Sequence, residues 1–215
     1  HKAGEESGSR KRKREEENNE NDTDWVLPEL PAQILGPTFL YHGSDPPICI
    51  AYDQTRNKIS LPALSLHDPE TSEDVTIKDL YPREVQHVWV VTRVAGTETI
   101  NLRTPEGKFI SSDKHGLVSA DREARGPQEE WTPMILEDGC VALQNMYGNY
   151  LGLDEVAGGS LSLRADAESV GFQEKWWAWG AGRSVVSKED SKVLKKAKKE
   201  GRLAEAMLDR RSKLK

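Results

Sequence analysis

Ile100 to Pro133 reads INLRTPEGKFISSDKHGLVSADREARGPQEEWTP, and Val141 to Ala178 reads VALQNMYGNYLGLDEVAGGSLSLRADAESVGFQEKWWA. The two are one stretch written twice. Leu102 answers Leu143, Gly107 answers Gly148, and Phe109-Ile110 answers Tyr150-Leu151, all at an offset of 41 residues. After a short insertion, Gly126, Gln128, Glu129 and Trp131 answer Gly171, Gln173, Glu174 and Trp176 at an offset of 45. Repetition at such a period marks a fold built from copies of one supersecondary unit.

The unit itself reads as β-structure. Val88-Trp89-Val90-Val91, Ile100-Asn101-Leu102, Lys108-Phe109-Ile110 and Tyr150-Leu151-Gly152-Leu153 are short β-branched, aromatic or alternating runs. Pro105-Glu106-Gly107, His115-Gly116, Tyr147-Gly148-Asn149 and Gly158-Gly159 punctuate them as turns. A period of about 40 residues with four strands also suits a propeller blade. A propeller needs at least about four blades, and residues 25–180 hold room for only three units. Three four-stranded units closing on themselves make a β-trefoil. The first unit then falls between about Ile34 and Val91, with strands at Ile48-Cys49-Ile50-Ala51 and Ile59-Ser60-Leu61 and with Trp89 matching Trp131 and Trp176. A polar stretch from Leu66 to Asp79 (LHDPETSEDVTIKD) reads as an exposed loop inserted into that unit.

Charge divides the 215 residues into three parts. Residues 1–24 carry 6 basic and 8 acidic side chains, residues 25–186 carry 13 and 23, and residues 187–215 carry 11 and 5. An acidic body between ends that bear basic clusters places any polyanion contact on the ends. The expected organisation is a charged, disordered tail over 1–24, a trefoil over 25–182 and a basic helical tail over 183–215. Cys49 and Cys140 lack metal-ligand spacing and read as reduced thiols of an intracellular protein. No apolar run approaches the ~18 residues of a membrane span, and no membrane partner is expected. The start at His1, not Met, reads as a piece of a longer product.

Near the start, Arg10, Lys11, Arg12, Lys13 and Arg14 form an unbroken basic run, followed by Glu15-Glu16-Glu17. Such a block buries too little apolar surface to offset its ordering entropy. Its functional reading is nuclear targeting or nucleic-acid contact; the plainer one is a solvated tail. At the other end, Ser187-Lys188-Glu189-Asp190 offers an N-cap serine with acids in the first turn, ahead of strong helix formers. Lys195, Lys196, Lys198, Lys199, Arg202, Arg210, Arg211 and Lys213 are the residues expected to neutralise phosphates, without reading sequence. The apolar stripe of Leu203, Ala206 and Met207 is too thin to hold this helix alone, so it orders by docking.

No catalytic constellation appears. His42, His67, His87 and His115 stand in no H-E-x-x-H or comparable pattern, and no nucleophile elbow or phosphate-binding lysine loop is present. Glu129-Glu130 is better read as a solvated turn than as an acid–base pair, because the other copy has Glu174-Lys175. Trp131 and Trp176 are expected in equivalent core positions, while Trp177 and Trp179 are left as outward-facing candidates for stacking RNA bases. Gln128-Glu-Glu-Trp131 and Gln173-Glu-Lys-Trp176 are one residue longer than the Q-x-W of sugar-binding trefoils, which lowers a lectin reading. No cofactor and no metal are expected.

The tail SKEDSKVLKKAKKEGRLAEAMLDRRSKLK (Ser187 to Lys215), the start SRKRKREEE (Ser9 to Glu17) and ALQNMYGNYLGL (Ala142 to Leu153) together resemble the facioscapulohumeral-dystrophy region gene one family. Lys188-Glu189-Asp190-Ser191-Lys192 and Leu208-Asp209-Arg210-Arg211 are the most specific parts. In that family a longer segment precedes the basic tail, whereas here only Gly180 to Val186 intervenes. The resemblance implies a fascin-like β-trefoil and a nuclear and nucleolar protein associated with spliceosomes and RNA processing. The expected function is therefore a non-enzymatic scaffold in a large ribonucleoprotein complex, with RNA and its proteins as partners. An actin-binding or bundling module, with F-actin as partner, and a ribosome-biogenesis factor are the alternatives.

Overall fold

The computed structural model describes residues 25–181, and the strands it shows follow the repeat. In chain order they are β1 (Trp25–Val26), β2 (Gly36–His42), β3 (Ile48–Cys49), β4 (Ala51–Asp53) and β5 (Lys58–Ser60). The second unit holds β7 (Ile100–Arg103), β8 (Phe109–Ser112), β9 (Val118–Arg122) and β10 (Thr132–Ile135), after β6 (Val88–Arg93) closes the first. The third holds β11 (Val141–Gln144), β12 (Tyr150–Glu155), β13 (Leu161–Ala167) and β14 (Trp177–Ala181). Val26–Gly180 forms one compact unit.

Six strands close a barrel. β14 pairs with β2, β2 with β6, and β6 with β7, all antiparallel. β10 pairs with β11 in the same sense. Two isolated bridges join these sets: Ile100 with Trp131, and Val141 with Trp176. Each bridge exchanges both backbone hydrogen bonds, at 2.8 and 3.0 Å in the first and 2.6 and 2.9 Å in the second. The remaining strands make three hairpins, β4–β5, β8–β9 and β12–β13. Six barrel strands with three capping hairpins are a β-trefoil, as the repeat predicts.

One hydrogen bond, made three times, ties each hairpin to the barrel. The indole Nε1 of Trp89 donates to the Ile50 carbonyl (2.8 Å), that of Trp131 to Ile110 (3.1 Å) and that of Trp176 to Leu151 (3.0 Å). All three tryptophans are fully buried. A buried indole needs an acceptor for its N–H; the hairpin's first strand supplies it for Trp131 and Trp176, and the residue just before that strand for Trp89. Around them pack Ile34, Leu40, Ile48, Val91, Ile100, Leu102, Val141 and Leu143 as one continuous core.

Close packing between hairpins explains one glycine. Gly116, at φ +81°, lets Ala165 N donate to its carbonyl at 2.9 Å. A Cβ at this position would lie 2.7 Å from that of Asp166. Only glycine fits both the backbone angle and the gap.

Two expectations need correction. Glu129 is 3% exposed, not solvated: it ends the 3-10 turn Pro127–Glu129, and its carbonyl accepts the Asn101 amide at 2.8 Å. Trp177 points away from the core but is only 8% exposed, so it offers no free stacking face.

Candidate functional surfaces

The aromatic layer outside the barrel explains what covers Trp177. Strand alternation turns Phe39 and Tyr41 of β2, and Trp177 and Trp179 of β14, away from the interior filled by Leu40, Trp176 and Ala178. In register, Trp177 faces Tyr41 and Trp179 faces Phe39. Trp179 Nε1 donates to the Tyr41 hydroxyl (2.7 Å), and that hydroxyl donates to the Ile77 carbonyl (2.6 Å). Lys78 holds its ammonium 5.8 Å from the Trp177 ring centroid, a cation–π contact. Ile77 and Lys78 belong to the inserted stretch, which is therefore a strap across this wall.

Within the strap, Asp68 is the fixed point. Its carboxylate accepts the Tyr81 hydroxyl (2.7 Å) and the Glu70 N–H (2.9 Å). The Tyr81 hydrogen bond is the main cause that holds its pKa below the usual carboxylate value. Most other strap residues are exposed, as expected of an inserted loop, and Glu70, Glu73, Asp74 and Asp79 make it acidic.

Burial shifts the ionisable groups of the interior toward their neutral forms. Burial pushes the thiols of Cys49 and Cys140 up to about 12, so neither is a ready nucleophile at neutral pH. Burial also raises the Tyr41 phenol. His42 and His87 are shifted downward for the same reason, and each keeps an enclosed Nδ1 without a partner. The Nε2 of His42 lies 3.0 Å from the Phe172 carbonyl, with Phe172 and Trp176 packed edge-on against the ring. Among the described residues, no group of three or more His, Cys, Asp or Glu is arranged to hold a metal.

The threefold alignment exposes a motif missed in the sequence. Gln86-His-Val-Trp89 matches Gln128-Glu-Glu-Trp131 and Gln173-Glu-Lys-Trp176, so all three repeats read Q-x-x-W. Each glutamine lies on a 3-10 turn, Val85–His87, Pro127–Glu129 or Phe172–Glu174. Gln128 Nε2 donates to the Tyr147 hydroxyl of the next repeat's turn (3.1 Å). Gln86 lines a shallow depression with Tyr52, Gln54, Val85, Val88 and Glu106. The signal was present in Gln86 and Trp89, but His87 where the others have Glu hides it.

The basic candidates, Arg10 to Arg14 and Lys195 to Lys213, lie outside the described residues. What the structure does describe, residues 25–181, carries 12 basic against 23 acidic side chains.

Residues 78–155 match the model of the FRG1-like domain. The match begins inside the strap, at Lys78, and runs through β12, taking in Trp89 and Trp131. A curated relative, Protein FRG1 homolog of Drosophila melanogaster, is 27% identical over 139 residues. The alignment covers 51% of this chain and 53% of the relative, so the chain spans about half of that protein's length. Both findings agree with the family resemblance read from the sequence.

Among solved structures, a mosquitocidal holotoxin aligns over 67% of this chain and 16% of its own, with a TM-score of 0.50 and 12% identity. A designed threefold-symmetric protein, ThreeFoil, aligns over 66% and 98% at 13% identity, with a TM-score of 0.49. At such identity the holotoxin likeness is one of fold alone.

Proposed function

We propose that this chain is a non-enzymatic nuclear scaffold of RNA–protein assemblies, acting within the spliceosome in pre-mRNA splicing. The acidic trefoil supplies a rigid surface for protein partners, and the basic ends hold RNA through its phosphates. The observation that carries this reading is the charge partition around an FRG1-like domain. The described body bears a net −11, whereas residues 187–215 bear +6 and Arg10 to Arg14 form an unbroken basic run. A polyanion is repelled by the first and attracted by the others. Each phosphate neutralised on a single strand contributes a slope of about −0.7 to the dependence of log affinity on log salt.

Fluorescence anisotropy with a labelled single-stranded RNA tests this directly. The full chain is expected to bind with a slope of about −3 to −5, for roughly five to seven neutralised phosphates. Removal of residues 187–215 should lower the affinity at least about tenfold at 100 mM salt and flatten the slope. Equal binding and equal slope for both proteins would reject the assignment of RNA contact to the tail.

A further inference from the structure

Six side-chain polar atoms among the described residues are enclosed without a hydrogen-bond partner, and four of them fall on one strand pair. They are Thr92 Oγ1, Arg93 Nε, Arg93 Nη2 and Asn101 Oδ1. Thr92 stands opposite Asn101 in the register of β6 and β7, and Arg93 stands opposite Ile100. Alternation along β6 puts Arg93 on the same side as Trp89 and Val91, both part of the core. As the last residue of β6, Arg93 sits at the end of the barrel interior.

The threefold repeat shows what this position otherwise holds. Four residues after each buried tryptophan come Arg93, Ile135 and Gly180. Ile135 packs against the core. Gly180 has no side chain, and a Cβ there would meet nothing nearer than the Pro37 carbonyl oxygen at 3.9 Å. The fold therefore fills the place once with an aliphatic group and leaves it open once. A cation is not needed there for closure of the barrel.

Arg93 as a whole is half-buried, but its Nε and Nη2 are enclosed without acceptors, and holding such donors out of water unpaired is costly. No carboxylate compensates: Arg93 takes part in none of the ion pairs formed among the described residues. Burial alone lowers its pKa, which accords with that isolation. An arginine kept under these conditions, where isoleucine or glycine would serve, has an acceptor as its natural complement. Guanidinium is planar and always charged, and its donors match the oxygens of phosphate. Since the surrounding body is acidic, directed hydrogen bonds and not a general positive field must provide the selectivity.

We propose that Arg93 is an oxyanion-binding residue at the end of the barrel and takes a phosphate group. The site is separate from the basic ends and binds one group. Its phosphate arrives as a free ion or as a monoester, so inorganic phosphate and O-phosphoserine are the two probes. Thermal unfolding of the full chain and of Arg93→Met is compared in each probe and in chloride at matched ionic strength. Phosphate stabilises proteins generally by exclusion from their surfaces, so the readout is the difference between the two proteins. With at least one probe at tens of millimolar, the native chain should gain about 3 °C more than the variant, and the gain should saturate. Which probe produces it identifies the source. Equal gains in both proteins with both probes would overturn the proposal. If Arg93→Met does not fold, amide resonances of the native chain decide: phosphate should shift Arg93, Ile135 and Gly180 saturably, and unmoved resonances would overturn it.

Discussion

Each of Trp89, Trp131 and Trp176 fills the core and also satisfies one strand carbonyl from a hairpin. Replacing Trp131 by Phe keeps an aromatic ring but strands the Ile110 carbonyl and leaves a void. An unsatisfied buried acceptor costs about 1–3 kcal/mol and the void adds to it, so urea unfolding of Trp131→Phe should show a loss of at least about 2 kcal/mol. A loss below about 0.5 kcal/mol, at the level of an unremarkable surface change, would deny this bond its place in the fold. The buried histidines make a second prediction. His42 faces the Phe172 carbonyl, the Gln173 backbone, the Glu174 carboxylate and Trp176; His87 faces Glu84 and Phe39. Both have folded pKa values below the unfolded value of about 6.5. Below that pH the unfolded chain takes up protons that the folded chain refuses, so stability present at pH 7.5 is lost as the pH falls. The melting temperature should drop between pH 7.5 and 5.5; a flat or rising profile would contradict this. At this scale Trp131 and Trp176 were legible because the repeat places them together with Gln128 and Gln173. Glu129 was misread, since an acidic pair in a turn looks solvated unless the strand packed beneath it is known.

At the scale of elements, the hairpins were readable from turn glycines, while their mutual packing was not. The β8–β9 turn lies against β13, and the contact depends on Gly116 lacking a Cβ. Gly116→Ala must relieve both a 2.7 Å approach and a positive φ. Its cost should exceed about 1 kcal/mol in denaturant unfolding, whereas Gly158→Ala, with nothing within 4 Å, bears only the backbone term. Equal costs at both positions would show that hairpin packing is looser than described. The strap was legible as an insertion but not as a cover. Its polar composition predicts exposure, and only the outward aromatics of β2 and β14 reveal why Ile77 and Lys78 are held down. That wall is an alternation signal: Phe39 and Tyr41 occupy the positions that a solvated barrel strand fills with polar groups.

For the whole molecule, a 41-residue offset was enough to give threefold closure because two repeats keep their spacing apart from one short insertion that widens the offset to 45. The first repeat was placed by elimination and matches the others only loosely, for a physical reason. Trp89 stands 39 residues after Ile50, whereas Trp131 follows Ile110 by 21 and Trp176 follows Leu151 by 25. The strap lengthens that connection, and loop closure tolerates such an insertion at small entropic cost. The functional account also lives at this scale, in an acidic body with basic sequences at its ends. Its most direct test is purification of the tagged full chain from nuclear extract, beside a chain lacking residues 187–215, with sequencing of bound RNA and identification of bound proteins. The account predicts spliceosomal RNAs and splicing factors with the full chain and their loss with the shortened one. Recovery of actin without enriched RNA, unchanged by the deletion, would contradict it.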